Sequence, residues 1–407
     1  MSNKLRGLTR FLRPLSNQRP AANPRTAPRE TRQAGDKIDL YRGQYVPTTG
    51  EVNSAGGQSD EGRLMNSTAY ESSTTAGVSL APGPVFVVSI WRSGASLLYS
   101  LLNKHPQVAL TFEAYLWLMR SVFRKPAGYC DWAARWEFWN GALTRHGIHA
   151  NQLPREVADY PAAFTAVHQA YAARKGAVIW GDESPNYYDS LLALARLFPQ
   201  ARFIIQWRDP SATANAIARA AQSGAPYFQQ RGAGLRGLMG YQVLKRGVDS
   251  LLSRGQPVCQ VTYEELTSNT AKVLREVCRF LQIPYRDELA DLRNADRSAI
   301  FKGAHHSMVR EDKIVSTPRP VILDQAARQK IAGYVKLWKR RYNDEWPPSV
   351  LTDADQAPPP RLPQRVGNQM AYCAVRAFDQ FRYVFFACAP MALLQSYRRR
   401  HGSAISY

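Results

Sequence analysis

Short apolar runs alternate with amphipathic stretches from about Pro84 to Asn343, and this alternation is the clearest pattern in the chain. The runs PVFVVS (84–89) and RFIIQW (202–207) are largely apolar, as expected of strands that are buried on both faces of a parallel sheet. Each run is followed by a stretch that repeats apolar residues at helical spacing. The pattern predicts an α/β fold with a parallel central sheet flanked by helices.

The two ends of the 407-residue chain differ from this middle part. Residues 1–80 are rich in Pro, Ser, Thr, Gly and Arg and lack apolar periodicity, so we predict a disordered basic arm there. We place one ordered domain at residues 81–345. Residues 346–407 are interpreted as a Pro-rich linker followed by an apolar and basic C-terminal helix.

The chain is strongly basic, with a formal net charge of +21. Residues 1–80 carry 11 Lys and Arg against 7 Asp and Glu, and residues 346–407 carry 7 against 3, which leaves +13 in the central domain. The excess favours an anionic partner such as a nucleotide, a polyanion or an anionic membrane, although general solubility accounts for much of it. No feature indicates a specific nucleic acid.

The cysteines and the N-terminal segment bear on location. The five cysteines include no C-x-x-C pair, which favours a reducing compartment and argues against a disulfide framework and a structural zinc site. The first residues, MSNKLRGLTRFLRPL, lack the continuous apolar run of a secretory signal. A basic amphipathic helix on a membrane surface, a transit peptide and a flexible tail remain alternatives. We expect a cytoplasmic protein, with peripheral membrane contact through the termini as a candidate interaction.

The apolar C-terminal stretch, residues 370–394, is interrupted by Arg376, Asp379 and Arg382. Its uninterrupted part is about a dozen residues, too short to cross a hydrocarbon core of roughly 30 Å. An interfacial helix, a helix packed on a partner and a helix docked on its own domain are the alternatives.

The tight turn WRSGAS (91–96) lies between the first strand and a helical pattern. Strand, turn and helix together place free backbone N–H groups and the positive end of a helix dipole at one point, which is an anion-binding site. The loop G-x-x-x-x-G-K-[ST] of triphosphate-binding proteins has a lysine where this chain has Ala95, and a first glycine where it has Ser89. The sequence therefore argues against a triphosphatase and leaves Arg92 to supply the charge.

This loop and three later segments resemble the sulfotransferases that use 3′-phosphoadenosine 5′-phosphosulfate. The family's loop reads [PW]-[RK]-S-G-T-[ST] and its helix ends near H-P-x-V, here HPQV. The later segments are RFIIQWRDPSATANAIAR (202–219), VCQVTYEELTSNTAKVLREVCRFLQIPY (258–285) and FKGAHHSMVREDKIV (301–315). The resemblance implies a P-loop nucleoside-triphosphate-hydrolase-like sulfotransferase fold. It also implies transfer of a sulfonate to a hydroxyl or amine of a glycan, lipid or small molecule.

The resemblance assigns a donor site to the loop, the second motif and the segment 301–315. Arg208 would bind the 3′-phosphate of the donor. The family's serine at this phosphate is Ala216 here, so Asn215 or Ser211 is the expected substitute. No metal is expected, because arginine and lysine would supply the positive charge. The implied donor-binding residues are Arg92, Ser93, Gly94, Ala95, Ser96, Leu97, Arg208, Asn215, Lys302, Gly303 and Arg310.

Arg92 and two glutamates are the catalytic candidates. Glu113 lies eight residues after His105, and in tyrosylprotein-sulfotransferase-like members a glutamate at this spacing is the catalytic base; a surface glutamate at a helix start is the alternative. Glu183 stands where many members have the lysine of G-E-K-T-P. It contributes either to acid-base chemistry and acceptor choice or, with its neighbours, to the start of a helix. Lys302 is the candidate for the missing charge.

Two other functions compete with sulfonate transfer. A P-loop kinase is disfavoured by the missing lysine, and a degenerate domain that acts as a basic binding protein is kept open by Glu183 and Ala216.

The aromatic segment at residues 115–176 is the predicted place of the acceptor pocket.

Overall fold

The computed structural model describes most of the chain from residue 81 onward. The described residues are 81, 83–124, 132–140, 142–229, 233–300, 309, 312, 314–316, 319–343, 345–347 and 357–401. The predicted arm at residues 1–80 and the predicted donor-binding residues Lys302, Gly303 and Arg310 lie outside these ranges.

Five parallel strands form a central sheet in the order β2-β3-β1-β4-β5. The first strand is central because Val85 pairs with Gly181 on one side and with Arg202 on the other. The predicted α/β fold with a parallel central sheet is therefore confirmed. The strands are β1 (Val85–Ser89), β2 (Val108–Phe112), β3 (Ile179–Glu183), β4 (Arg202–Trp207) and β5 (Val258–Thr262).

Helices connect the successive strands, as parallel pairing requires. The α-helices are α1 (Ala95–Leu102), α2 (Trp132–Asn140), α3 (Ala142–Arg145), α4 (Tyr160–Lys175), α5 (Leu191–Leu197), α6 (Pro210–Gln222), α7 (Pro226–Gln229), α8 (Ala233–Leu252), α9 (Tyr263–Ser268), α10 (Thr270–Leu281), α11 (Gln325–Arg341), α12 (Leu362–Cys388) and α13 (Met391–His401). Short 3₁₀ helices span Leu116–Arg124, Ala150–Gln152, Pro185–Tyr187 and Asp287–Ala290.

The sheet is buried on both faces, which explains why residues 85–88 of the central strand β1 are continuously apolar. Phe86 and Val88 of β1 belong to one hydrophobic cluster, with residues of α4, α5, α8 and α11. Val85 and Val87 belong to a second cluster, with residues of α1 and α10. Successive side chains of a strand point to opposite faces, so both faces need apolar residues.

The C-terminal helix α12 docks on the domain rather than standing apart from it. Its Asp379 forms a buried ion pair with Arg236 of α8, at 3.1 Å between Oδ2 and Nη1. The hydroxyls of Tyr372 and Tyr188 are 2.8 Å apart, and Arg120 donates a 2.9 Å hydrogen bond to Gln380. The structure therefore shows this segment docked on its own domain. Within the described ranges, no helix combines the length and apolar character needed to cross a bilayer.

Candidate active site

The turn after β1 depends on two left-handed backbone positions. Arg92 has φ 68° and Gly94 has φ 90°. The Ser93 N–H donates to the Ile90 carbonyl at 3.1 Å, which closes the turn, and Gly94 is the N-cap of α1. A Cβ atom at Gly94 would lie 2.2 Å from Cδ2 of Tyr263. Both the backbone conformation and the packing therefore require glycine at position 94.

Residues from β4 and β5 hold the turn from the side. Gln206 donates from Nε2 to the Ser93 carbonyl at 3.0 Å, and Arg208 donates from Nη1 to the Arg92 carbonyl at 2.8 Å. The Arg208 guanidinium also lies over the ring of Tyr263, 4.1 Å from its centroid. Because these side chains come from neighbouring parallel strands, the turn and the second motif form one rigid unit.

Positive charge is concentrated around this turn. Burial and the nearby charge of Arg208 lower the pKa of Arg92 to about 10, and Arg319 adds to this effect. The first turn of α1 has no acidic side chain and its N-cap has no capping side chain. The buried Nε of Arg208 has no hydrogen-bond partner among the described residues. An anion bound here would satisfy the Arg208 donor and the helix dipole and relieve the repulsion between the guanidinium groups.

Two carboxylates, Glu113 and Glu183, lie at the carboxyl ends of the adjacent strands β2 and β3. The Glu113 N–H donates to the Glu183 carbonyl at 2.7 Å, and Glu113 has φ 45°. Glu113 keeps partial solvent access, whereas Glu183 is 2% exposed. Since β3 lies between β2 and β1, Glu113 is one strand removed from the loop, and its charge still raises the pKa of Arg92.

Both glutamates titrate far above their ordinary range. Burial raises the pKa of Glu113 to about 8, against the opposing effect of Arg145 and with a further increase from Asp182. Burial also raises the pKa of Glu183 well above its usual value, and the negative charges of Glu113 and Asp182 raise it further. Burial therefore favours the neutral form of both glutamates, and Glu113, whose pKa Arg145 and Arg92 lower, is expected to ionise more readily than Glu183.

The carboxylate of Asp182, a residue of β3, has a structural role. Its oxygens accept hydrogen bonds from Thr111 Oγ1 at 2.6 Å, Tyr187 Oη at 2.7 Å and the Ala114 N–H at 3.2 Å. Burial raises its pKa to about 7 in spite of these bonds. The start of the following 3₁₀ helix is capped by Ser184, which accepts from the Asn186 N–H at 3.2 Å. Oε2 of Glu183 has no hydrogen-bond partner among the described residues, so the observed cap does not use it.

The end of α3 supports the Glu113 backbone. Arg145 donates to the carbonyls of Glu113 at 3.3 Å and of Ala299 at 3.1 Å. His146 accepts from the Phe112 N–H at 3.1 Å through Nε2. Burial lowers the pKa of His146 to about 3, so this imidazole is neutral and able to accept that bond at physiological pH. Glu113 is thus held by groups on two sides, which favours a defined position of its carboxylate.

The hydrogen bonds of the Asn215 side chain are made to the segment before α11 and not to the turn. Its amide donates to the Pro320 carbonyl at 3.0 Å and accepts from the Ile322 N–H at 2.8 Å, so both ends of the side chain hold the segment before α11. Its role at the donor's 3′-phosphate stays a prediction. Ala95 and Leu97 are buried in the first turn of α1, and the Leu97 N–H donates to the Gly94 carbonyl at 2.9 Å, so its predicted contact to the donor stays a prediction.

Four residues that the sequence interpretation did not single out contribute to the site: Gln206, Tyr263, Arg145 and Arg319. The sheet explains why Gln206 and Tyr263 lie beside the turn. Gln206 pairs with Ser89, and Tyr263 directly follows β5. Arg145 lies in a segment without a motif, so no local signal marks it. Arg319 reaches the site only through the fold.

The site is the loop of a P-loop-like α/β protein at the carboxyl edge of a parallel sheet, with arginines in place of lysine. The family model described as the sulfotransferase family matches residues 84–287, which is half of the chain. The chain therefore belongs to the sulfotransferase family, a family of transferases, and the predicted resemblance is confirmed.

Two curated proteins are similar to this chain. Protein-tyrosine sulfotransferase A of Caenorhabditis elegans is 24% identical over 208 residues, which cover 50% of this chain and 51% of that protein. Nodulation protein NoeE of Sinorhizobium fredii is 31% identical over 166 residues, which cover 38% of this chain and 35% of that protein. The chain thus matches about half of the first relative and about a third of the second.

Solved sulfotransferase structures resemble the chain at low identity. The sulfotransferase domain from the curacin biosynthetic pathway has a TM-score of 0.45 and 17% identity, covering 63% of this chain and 98% of that domain. Mouse sulfotransferase SULT7A1, complexed with PAP, has a TM-score of 0.31 and 14% identity, covering 72% of this chain and 84% of that one. Among the described residues of this chain, no group of three or more His, Cys, Asp and Glu side chains is placed to hold a metal ion.

We predict that Gly94→Ala destabilises the domain by more than the strain of its backbone alone. Gly176→Ala is the matched control, because Gly176 has φ 65° and nothing within 4 Å of an added Cβ. The control should lose about 1 kcal/mol, and Gly94→Ala clearly more, because Tyr263 must move. Urea unfolding of both variants measures the difference. Equal losses would show that Tyr263 does not restrict this position.

We predict that Glu183→Gln stabilises the protein at alkaline pH. The raised pKa means that the folded state holds a proton which the unfolded chain loses near its ordinary value of about 4.3, so wild-type stability falls as pH rises above that value. The variant has no carboxyl group at position 183, so its free energy of unfolding does not fall in this way. At pH 8.5 its melting temperature should exceed that of the wild type by about 2–4 °C for each kcal/mol gained in unfolding free energy, and this difference should shrink toward pH 5. Glu276→Gln, at an exposed position, is the control. A difference that does not change with pH would contradict this explanation.

Proposed function

We propose that this protein transfers a sulfonate from 3′-phosphoadenosine 5′-phosphosulfate to a hydroxyl or amine of a glycan, lipid or small-molecule acceptor. The observation that carries the proposal is the pairing of an anion-binding turn with Glu113 at one edge of the sheet. Arg92 and Arg208 supply positive charge at the turn, and Glu113 is close enough to raise the pKa of Arg92.

The donor fits the charge and shape of the turn better than a triphosphate does. A phosphosulfate has no terminal phosphates for a lysine to reach, so Ala95 costs nothing at that position. Backbone N–H groups at Gly94 and Ala95 would hold the 5′-phosphosulfate, since the N–H groups of Ser93 and Leu97 donate to the carbonyls of Ile90 and Gly94. Arg92 would neutralise charge on the transferring group. Arg208 would bind the 3′-phosphate from its place over Tyr263. Residues 302, 303 and 310 stay predicted contacts to the adenosine end.

Glu113 is the proposed general base. In the transfer, the acceptor oxygen or nitrogen forms a bond to sulfur, the bond from sulfur to the bridging phosphate oxygen breaks, and the acceptor proton passes to the Glu113 carboxylate. The leaving group is adenosine 3′,5′-bisphosphate. A base with a pKa of about 8 is strong enough to accept this proton, and Arg145 fixes the backbone from which it projects.

Glu183 has a different proposed role. A carboxyl group cannot replace the positive charge of the lysine that many family members have there, and burial favours the neutral form of Glu183 by raising its pKa. A neutral carboxyl can donate a hydrogen bond, and its Oε2 faces no partner among the described residues. We therefore assign Glu183 to acceptor choice, as a neutral hydrogen-bonding group beside the base.

Support for a hydroxyl acceptor comes from one relative. The curated relative from Caenorhabditis elegans is named a protein-tyrosine sulfotransferase, and a tyrosine presents a phenolic hydroxyl. The aromatic segment after β2, which includes Trp117, Trp132 and Trp136, would form a wall of the acceptor pocket. These tryptophans are buried in the core and their indole N–H groups donate within the domain, so they would support the pocket wall from behind. A cytoplasmic location stays a prediction.

We predict that the full chain binds adenosine 3′,5′-bisphosphate and that Arg92→Ala loses this binding. Removing a charged contact to a phosphate in a partly desolvated site should weaken affinity by about 30-fold or more. Isothermal titration calorimetry measures both proteins, with Arg279→Ala as the control at an exposed arginine of α10. Absence of binding by the folded wild type would contradict the proposed function and favour a basic binding protein. Magnesium-dependent ATP turnover would favour a kinase.

We predict that Glu113→Gln binds adenosine 3′,5′-bisphosphate normally and loses turnover by about 10²–10⁴-fold. Turnover is measured with a radiolabelled donor and an acceptor found by screening acceptor classes. Since the base must be ionised, the wild-type rate should rise with pH and level off above about pH 8. Glu276→Gln should keep the wild-type rate. Retained turnover in Glu113→Gln would reject Glu113 as the base without affecting the donor site.

A further inference from the structure

The exposed large hydrophobic side chains of the described residues are concentrated on the two C-terminal helices. Elsewhere in the described ranges only three such side chains are exposed, Leu197, Leu252 and Val321. On α12 and α13 they are Leu362, Val366, Met370, Phe378, Phe381, Val384, Phe385 and Leu393. This concentration is unlike the scattered exposure that is normal on a protein surface.

Seven of these side chains form one continuous face of α12, the apolar face, which spans nearly half of the helix circumference at 100° per residue. The most exposed residues are Met370 and Leu362, which are 69% and 67% accessible. The apolar face consists of Leu362, Val366, Met370, Phe378, Phe381, Val384 and Phe385.

The side of α12 that faces the domain is already occupied by other residues. Tyr372 and Tyr383 belong there to the hydrophobic core, Asp379 is buried, and Arg376 pairs with Asp189. A helix that only covers its own domain places apolar residues inward and polar residues outward. In α12 two core tyrosines and the ion pairs lie inward, and the large exposed apolar side chains lie outward, so docking on the domain does not explain the apolar face.

Charge decides between the candidate occupants of this face. Residues 357–401 contain seven arginines and a single acidic residue, Asp379. That carboxylate is buried and bonded to Arg236 at 3.1 Å, so it offers nothing to the surface. Arg365 borders the apolar face on one side and Arg382 on the other, and three further arginines follow in sequence at 398–400.

Two occupants from this protein itself are disfavoured by the same charges. A second copy of α12 would bring two acid-free, arginine-bordered faces together. The N-terminal segment has no acidic residue before Glu30 and carries seven Lys and Arg in that stretch, so it would also be repelled. An anionic lipid surface, by contrast, provides hydrocarbon for the apolar side chains and phosphates for the arginines.

We propose that the apolar face of α12 lies in the interfacial region of an anionic lipid bilayer. The helix is about 40 Å long at 1.5 Å per residue, and it would lie along the membrane plane with Arg365 and Arg382 at the level of the headgroups. The domain is then held at the membrane surface through the contacts that α12 makes with Arg236, Tyr188 and Arg120. This inference does not depend on the proposed enzymatic activity.

The experiment measures binding of the full chain to vesicles by co-sedimentation. The vesicles contain phosphatidylcholine and phosphatidylglycerol at about three to one, and vesicles of phosphatidylcholine alone are the comparison. We expect binding to the anionic vesicles that weakens as salt rises. Replacing Met370, Phe378 and Phe381 with Gln together should weaken this binding by about tenfold or more. Replacing Leu197, Leu252 and Val321 with Gln, the three exposed hydrophobics elsewhere, should leave it unchanged.

Two more measurements separate the alternatives. Replacing Arg365 and Arg382 with Gln should weaken binding to the anionic vesicles and make that binding less dependent on salt. This variant keeps the proposal testable if circular dichroism shows that the triple variant of Met370, Phe378 and Phe381 is poorly folded. Unchanged vesicle binding in both α12 variants would overturn the proposal. So would loss of binding only when Leu5, Leu8 and Leu12 are replaced with Gln, which would assign the contact to the N-terminal segment. A dimer in sedimentation equilibrium that the α12 triple variant dissociates would assign the face to a second copy instead.

Discussion

The packing of the Tyr263 ring against Gly94 is the contact on which the site depends. A side chain at position 94 would occupy the space of the ring, so the turn can follow its left-handed path only with glycine there. The same ring supports the guanidinium of Arg208, which in turn bonds to the Arg92 carbonyl. One aromatic ring thus fixes both the loop of β1 and the arginine of β4, although these segments are more than a hundred residues apart.

Around this contact the carboxyl edge of the sheet gathers charges that water no longer solvates well. Burial lowers the pKa of Arg92 and raises the pKa of Glu113 and Glu183, so each group is biased toward its neutral form. Such charges are costly to the fold, and they persist at functional sites because a ligand of matching charge offsets the cost. The sheet supplies the scaffold, since the loops after parallel strands meet at one edge.

The fold and the strand-turn-helix geometry of the loop after β1 were predictable from local sequence, and the remainder of the site was not. Continuous apolar runs identify strands that are buried on both faces, and a strand followed by a glycine-containing turn and a helix identifies an anion site. Arg145 and Arg319 carry no local signal, because they reach the site from a motif-free segment and from the region before α11. The docking of α12 was one of three alternatives, since an apolar stretch broken by Arg376 and Asp379 also fits an interfacial helix and a helix packed on a partner. The contacts of Asp379, Tyr372 and Gln380 with the domain show the docking.

By itself the sequence determined the α/β fold, the anion-binding turn and the absence of the triphosphate lysine, because each follows from residues close together in the chain. The tertiary structure decided which charges meet. It placed Glu113 and Glu183 on adjacent strands, joined by a 2.7 Å backbone hydrogen bond, and turned the ion pairs of α12 inward and its apolar face outward. These facts depend on register and on packing between distant segments, which determine the desolvation of each charge and which no local pattern records.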